Sequence, residues 1–192
     1  MFLNRAVNLA RDRDFVSSKA YFDRAIKLEP SNAETYYETG EMYFYRARIE
    51  QDESKASDYL DEARLYFTKA IERNFYNAKY YVRMADLCAY MHDYENAEMY
   101  YNKIDLLAPN FILYHLKKIK FYIGDMNKQD EKALDEFTFL LDNFHQFTFQ
   151  NREEKEHLLY GLRAHLEKIT PSKRFYDIKE RIFNELAAIA KN

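Results

Sequence analysis

The sequence predicts an all-α fold made of stacked helical hairpins, and three observations carry this prediction. Only three glycines and three prolines interrupt the 192 residues, which is too few for a sheet protein with many tight turns. Apolar and aromatic residues recur at spacings of three and four, as on one face of a helix. The same pattern returns roughly every 34 residues, so the helices belong to an internal repeat.

Two sets of positions define the repeat. In the first helix of each copy, a bulky ring is followed four residues later by a small or apolar residue and seven residues later by another apolar residue. These positions are Phe2, Ala6 and Leu9; Tyr36, Gly40 and Tyr43; Tyr81, Ala85 and Cys88; and His115, Ile119 and Tyr122. The matching positions of the second helices are Ser18, Phe22 and Ala25; Ala63, Phe67 and Ala70; Ala97, Tyr101 and Ile104; and Ala133, Phe137 and Leu140. Such copies bury their apolar faces by stacking.

This pattern resembles the tetratricopeptide repeat, whose 34-residue period combines aromatic, small and alanine positions with a closing proline. The residues that carry the resemblance are Tyr36, Gly40, Tyr43, Ala97, Tyr101 and Pro109. The resemblance covers roughly residues 1–145. It implies a right-handed α-α superhelix, a solenoid in which the first helix of each unit lines a concave groove.

The spacing predicts about four helix-turn-helix units and a C-terminal capping helical hairpin within a single domain. The units span residues 1–32, 33–77, 78–111 and 112–145, and the cap spans residues 146–192. The second unit contains 11 extra residues within Tyr45–Asp58, so both of its helices are expected to be longer. Ser54 is expected to cap the second of these helices. The insertion is either a solvated extension or a projection that contacts a partner.

The last helix is predicted at residues 172–190. Its apolar stripe consists of Phe175, Ile178, Ile182, Leu186 and Ile189. A helix with one apolar stripe and an opposite charged face is typical of an element that covers a final repeat and faces water. The segment 146–192 is therefore either a dedicated cap or a degenerate fifth unit.

Composition argues against several classes of partner and location. The net charge of −3 disfavours nucleic acid and membrane surfaces. No apolar run approaches the ~20 residues of a membrane span, and the first residues lack the features of a secretory signal. A cytoplasmic location without membrane insertion is therefore expected. Cys88 is the single cysteine, so no internal disulfide can form.

No sequence motif predicts catalysis. A glycine-rich phosphate loop and a nucleophile elbow are both missing from the sequence. Glu154 and His157 have the three-residue spacing of di-iron ligands, but such sites need further glutamates and a second copy of the pair. We therefore expect no enzyme activity, no metal site and no cofactor, and we interpret the five histidines as surface or packing residues.

The family resemblance implies which side chains face the groove. Carried onto this sequence, the partner-binding residues are Glu34, Tyr37, Glu38, Glu41, Tyr45, Lys79, Arg83, Asp86, Tyr90, Lys117 and Lys120. Acidic and basic patches with tyrosines between them suit an extended or helical peptide. The carboxylate clamp of the chaperone-binding branch is rejected because Glu38 stands where asparagine is needed. Alternatively, the charges pair internally, for example Glu38 with Arg83.

The sequence thus predicts a non-enzymatic interaction module, an adaptor, assembly factor or chaperone-like protein that binds a peptide or helix of a partner protein. The alternative is a structural subunit of a larger envelope or secretion complex. Such a subunit would self-associate, for example as a homodimer, through an uncapped first helix bearing Phe2, Val7 and Leu9. The identity of the partner does not follow from the sequence.

Overall fold

The computed structural model describes residues 2–124, 129–147, 149, 151–170 and 176–190. Within these ranges the chain forms ten α-helices and a 3₁₀ turn at Phe144–Gln146, and no β-strand. The helices are α1 (Phe2–Arg11), α2 (Phe15–Leu28), α3 (Ala33–Ile49), α4 (Glu53–Arg73), α5 (Ala78–Tyr90), α6 (Tyr94–Leu107), α7 (Ile112–Tyr122), α8 (Asp130–Asp142), α9 (Arg152–Lys168) and α10 (Tyr176–Ile189). They fall into two compact units, Met1–Leu107 and Ala108–Asn192. That all 192 residues form one domain stays a prediction.

The first unit contains three helical hairpins, α1/α2, α3/α4 and α5/α6. Close approach within each hairpin depends on the small position of the repeat. A Cβ atom on Gly40 would lie 2.6 Å from two ring carbons of Phe67, so α3 and α4 touch where the side chain is missing. Ala6 and Ala85, at the equivalent positions of α1 and α5, are fully buried. At Gly40 the small position of the repeat thus allows close packing of two helices.

Side-chain caps mark where several helices begin. Asn32 caps α3 by accepting hydrogen bonds from the backbone N–H groups of Glu34 and Thr35. The expectation that Ser54 caps α4 is wrong. Asp52 has that role, because its side chain accepts a hydrogen bond from the Lys55 N–H at 3.1 Å. Ser54 lies inside the first turn, where a side chain has no unpaired N–H group ahead of it.

The insertion lengthens one hairpin, as expected. Helices α3 and α4 have 17 and 21 residues, whereas α5 and α6 have 13 and 14. The Arg46 guanidinium lies 4.1 Å from the ring centroid of Tyr59 and 5.4 Å from that of Phe15. These cation–π contacts attach the base of the extension to α2. Arg48 and the connecting residues 51–53 are exposed.

The apolar residues of α1 are partly covered within the first unit, and self-association through this helix stays a prediction. Phe2, Val7 and Leu9 are all half-buried. The ring centroids of Phe2 and Tyr21 are 6.2 Å apart, and the Arg24 guanidinium lies 4.7 Å above the Phe2 ring. Helix α2 therefore covers part of the face that the sequence left open.

Rings and one thiol fill the core of the first unit. Tyr37 stacks on Tyr80 with ring centroids 5.2 Å apart, and Tyr43 stacks on Tyr66 at 5.6 Å. Cys88 is buried on α5, and burial raises the pKa of its thiol to about 11. The thiol is therefore protonated at neutral pH and packs as a small apolar residue.

The second unit contains the hairpin α7/α8, followed by α9 and α10. Helix α10 packs on α8 and α9, and its residues Ile182 and Leu186 are fully buried. Two positions of the predicted apolar stripe are thus buried in the core of the second unit. Phe175, at the start of the same stripe, lies outside the described residues. Among the helices that the structure describes, none is long and apolar enough to cross a membrane.

Candidate functional site

A cavity of about 460 Å³ opens in the first unit between side chains of α1, α2, α3 and α5. Its apolar lining consists of Val7, Ala10, Phe22, Met42 and Phe44, and its tyrosines are Tyr37 and Tyr45. The charged lining residues are Arg11, Glu38, Glu41, Arg48, Lys79 and Arg83. Charged and apolar side chains thus share the lining, and polar groups that converge beside apolar surface are typical of a binding site.

Helix α3 supplies the largest share of this lining because its polar residues share one face. Glu34, Glu38, Glu41, Tyr45 and Arg48 follow one another at spacings of four, three, four and three. Residues three and four apart are neighbours on a helix surface. The stripe therefore carries three carboxylates towards the start of α3 and a guanidinium at its end.

The first carboxylate of the stripe is held by α5. Lys79 Nζ donates a hydrogen bond to Glu34 Oε1 at 2.8 Å, and the Tyr80 hydroxyl donates to Glu34 Oε2 at 3.1 Å. Lys79 Nζ also lies 3.8 Å above the ring centroid of Tyr37. Burial raises the pKa of the Tyr37 hydroxyl, so this residue contacts Lys79 as a neutral ring.

The third carboxylate is held by the next turn of α5. Arg83 donates two hydrogen bonds to Glu41, in the fork geometry that guanidinium and carboxylate groups favour. It also donates to Asp86 Oδ2 at 3.2 Å, and the Tyr101 hydroxyl donates to Asp86 Oδ1 at 2.7 Å. Burial opposes the charge of Arg83, but the hydrogen bonds and charge of Glu41 more than offset it and raise the pKa.

Glu38 lies between these two ion pairs on α3 and belongs to neither of them. Among the described residues, none places a basic nitrogen within 4.0 Å of its carboxylate. The suggested pair of Glu38 with Arg83 is therefore wrong, because Arg83 is level with Glu41, one turn further along α3. Burial raises the pKa of the Glu38 carboxyl, and the charges of Glu34 and Glu41 add to this shift.

Comparisons with known proteins agree on the architecture. A sequence profile of the tetratricopeptide repeat matches residues 78–111. That segment therefore matches one tetratricopeptide repeat, and the fold of the chain is that of tetratricopeptide repeat structures. The crystal structure of YrrB, described as a tetratricopeptide repeat protein with an unusual peptide-binding site, matches with a TM-score of 0.58 and 15% identity, over 100% of this chain and 86% of YrrB.

A second match is a tetratricopeptide repeat protein from Parabacteroides merdae, with a TM-score of 0.61 and 22% identity. It covers 100% of this chain, which spans 66% of the length of that protein. No curated protein matches the sequence significantly. The all-α tetratricopeptide repeat fold predicted from the sequence is confirmed, and proteins of this class are generally interaction modules rather than enzymes.

The other predicted groove residues have separate surroundings. Tyr45 is half-buried, and its hydroxyl accepts a hydrogen bond from Arg13 Nε at 3.2 Å. Tyr90 is exposed and packs edge-on against Phe44 with ring centroids 5.5 Å apart. Lys117 and Lys120 lie on α7 in the second unit and do not line the cavity. A role for these two lysines in partner binding stays a prediction.

Two cavity residues of the repeat protein were missed at the sequence level. Arg11 and Arg48 are exposed on the lining, and neither forms an ion pair with a described residue. Arg48 continues the stripe of α3 one turn beyond Tyr45, so the spacing alone was enough to find it. Arg11 lies one turn beyond Val7 on α1, where the family pattern carries no groove position.

The second unit holds a buried polar cluster outside this cavity. His115 Nδ1 lies 2.5 Å from Glu136 Oε1, His115 Nε2 lies 2.6 Å from the Pro109 carbonyl oxygen, and Lys118 Nζ lies 3.0 Å from Glu136 Oε2. A carbonyl oxygen can only accept, so Nε2 donates to Pro109, and Nδ1 is paired with the Glu136 carboxylate. Although His115 and Glu136 have metal-ligand chemistry, these atoms are engaged in hydrogen bonds.

Proposed function

We propose that this tetratricopeptide repeat protein is a non-enzymatic adaptor or chaperone-like module that binds a segment of a partner protein. The binding site is the cavity among α1, α2, α3 and α5. The observation that carries the proposal is the mixed lining of that cavity, in which apolar side chains lie beside charged ones and three of these, Arg11, Glu38 and Arg48, form no ion pair with a described residue.

The apolar wall supplies the binding energy in this proposal. Phe22, Met42 and Phe44 are nearly fully buried, yet all three contribute to the cavity surface. Filling the cavity with an apolar or long aliphatic side chain removes the remaining exposed part of these residues, together with the apolar surface of the ligand, from water, at roughly 25 cal/mol per Å². Buried aromatic and apolar pockets of this kind are where binding energy concentrates in protein interfaces.

The ion pairs on the cavity rim supply rigidity rather than catalysis. Glu34 and Glu41 are held by Lys79 and Arg83, which fixes α3 against α5. A pre-organised site loses less conformational entropy when a ligand binds. The fold shared with YrrB, described as having a peptide-binding site, supports a peptide as the ligand class.

The test uses a matched pair of substitutions. Val7→Arg places a long cation in the cavity, whereas Val16→Arg makes the same change on α2, at a side chain that is 81% exposed and outside the lining. Short random peptides displayed on phage are selected on the full chain, and the enriched peptides are synthesised. Binding is measured by isothermal calorimetry.

We expect Val7→Arg to lower the affinity for the selected peptides about tenfold or more, and Val16→Arg to leave that affinity unchanged. Hydrogen exchange should show slower exchange in α1, α3 and α5 when a peptide binds. Equal binding to both variants, or no enriched peptide, would contradict the proposal.

A further inference from the structure

Within the acidic stripe of α3, one carboxylate lacks the partner that the others have. Glu34 is bound by Lys79 and Tyr80, and Glu41 is bound by Arg83. Glu38 sits between them on the same face and lines the cavity, without an ion pair or hydrogen bond to any described residue. Its two neighbours on the stripe are also anions, so its surroundings disfavour its own charge.

The cations nearest to Glu38 do not neutralise it. Lys79 acts on Glu38 only at longer range, because its ammonium group is bound to Glu34 and stacked on Tyr37. Arg11 also acts on Glu38 from a distance, and its side chain is exposed. A half-buried carboxylate without a contact partner gains most from a cation supplied by a ligand.

Apolar side chains lie in the same cavity as this carboxylate. Val7, Met42 and Phe44 share the lining with Glu38. A lysine or arginine side chain has an aliphatic stem and a charged end, and it places the stem along apolar surface while the charge reaches a polar group. The part of the cavity around Glu38 therefore matches one long basic side chain better than a purely apolar or an acidic one.

A second charge lies at the other end of the stripe. Arg48 is exposed and without an ion pair among the described residues, ten positions after Glu38 on α3. At a rise of 1.5 Å per residue, the two positions are about 15 Å apart along the helix. An extended peptide advances about 3.3 Å per residue, so it covers this distance in about four or five residues.

We propose that the cavity recognises an extended segment with two poles, a lysine or arginine that inserts beside Glu38 and an aspartate or glutamate about four or five residues away that meets Arg48. This inference rests on the proposed peptide-binding function and adds the chemistry of the partner. Glu38 is its main specificity-determining residue, because the other two carboxylates of the stripe are already bound within the protein.

The experiment repeats the phage selection on the full chain and on two variants, Glu38→Gln and Arg48→Gln. Both changes keep the shape of the side chain approximately and remove its charge. For the wild type we expect enriched peptides with a basic position and an acidic position at the stated spacing. Glu38→Gln should lose the preference at the basic position only, and Arg48→Gln should lose it at the acidic position only.

A double-mutant cycle gives the quantitative test. One enriched peptide is synthesised with its basic residue and with norleucine in that place, and both are titrated into wild type and Glu38→Gln. We expect the basic residue to strengthen binding about tenfold in the wild type and to have little effect in Glu38→Gln. The thermal unfolding of Glu38→Gln is measured in parallel to show that the variant is folded.

The outcomes separate the two proposals. Peptides that are sensitive to Val7→Arg but carry no basic position, or that bind wild type and Glu38→Gln with the same preference, overturn the two-pole inference and leave peptide binding intact. No peptide sensitive to Val7→Arg overturns the proposed function itself. A basic position that disappears only in Glu38→Gln supports both.

Discussion

Glu38 is a residue at which binding and stability are expected to oppose each other. Burial raises the pKa of its carboxyl above the ordinary value of 4.5, so the folded protein holds this proton more tightly than the unfolded chain. Stability therefore falls as pH rises from that ordinary value through the folded pKa, and the ionised group costs stability at neutral pH.

We predict that Glu38→Gln raises the free energy of unfolding at neutral pH by up to about 0.5 kcal/mol. The gain should shrink as pH falls towards 4.5, where Glu38 itself becomes neutral. Urea denaturation, monitored by circular dichroism at several pH values, measures the free energy of unfolding. Glu41→Gln, the same change one turn away, should instead be destabilising because it removes the acceptor of Arg83. A Glu38→Gln protein less stable than wild type would contradict the prediction.

Glu136 shows the opposite behaviour in the second unit. Burial opposes its ionisation, but the hydrogen bond from His115 and the charge of Lys118 more than offset this and lower the pKa. Its ionised form therefore contributes stability above the unfolded pKa, and this contribution is lost as pH falls through the lower, folded pKa.

We predict that Glu136→Gln costs about 3 kcal/mol, because it removes a buried negative charge that is bonded to His115 and Lys118. Hydrogen exchange of the α7 and α8 amides locates the effect, and the difference from wild type should narrow in acid. Glu180→Gln on α10 removes an exposed carboxylate and serves as the control. Similar exchange rates in the two variants would show that the buried cluster is not stabilising.

At the level of single elements, two glycines in helices provide a direct comparison of packing and propensity. Gly40 in α3 faces the Phe67 ring, and a Cβ atom there would meet two ring carbons at 2.6 Å. Phe67 is fully buried, so its ring has little room to move. Gly161 in α9 has nothing within 4 Å of the same atom.

We predict that the two Gly→Ala changes have opposite effects on the free energy of unfolding. Gly161→Ala should stabilise by about 1 kcal/mol, the helix preference of alanine over glycine. Gly40→Ala gains the same helix preference, but the added methyl group overpacks the contact between α3 and α4. Overpacking costs about 1–3 kcal/mol, so the change should be destabilising. Thermal unfolding of both variants measures the signs. Stabilisation by Gly40→Ala would mean that α3 and α4 separate easily.

Much of the helical pattern could be predicted because packing imposes it on the sequence. The small position at Gly40 and the stripe through Ile182 and Leu186 are periodic, and a period is visible without coordinates. The cap of α4 was mispredicted because Asp52 and Ser54 are both good N-cap residues, and only the backbone decides which one precedes the first turn.

The charged site was only partly predictable, for a different reason. Helical spacing places Glu34, Glu38 and Glu41 on one face, but their pairing depends on the axial shift between α3 and α5. That shift sets Arg83 level with Glu41 and leaves Glu38 unpaired. A displacement between helices has no local signature in the sequence, so Glu38 could be predicted as a groove residue but its lack of an ion pair could not.

At the scale of the whole molecule, the repeat period and the compact units coincide at one place. The first unit ends at Leu107, close to the end of the predicted third repeat at residue 111. Helix pairs that contact mainly their sequence neighbours open in parts rather than all at once. A probe that senses one helix pair is therefore more informative for this chain than a global melting curve.

The buried thiol on α5 provides such a probe without any engineering. Because Cys88 is the single cysteine of the chain, a thiol-reactive dye can label one position only. With the sulfur buried and its pKa raised to about 11, we predict that labelling at neutral pH occurs only when α5 opens, and becomes fast in urea. Rapid labelling of the native protein would contradict this. A bound peptide should slow the reaction. The labelling rate of Cys88 therefore reports how often α5, the helix that carries Lys79 and Arg83, opens.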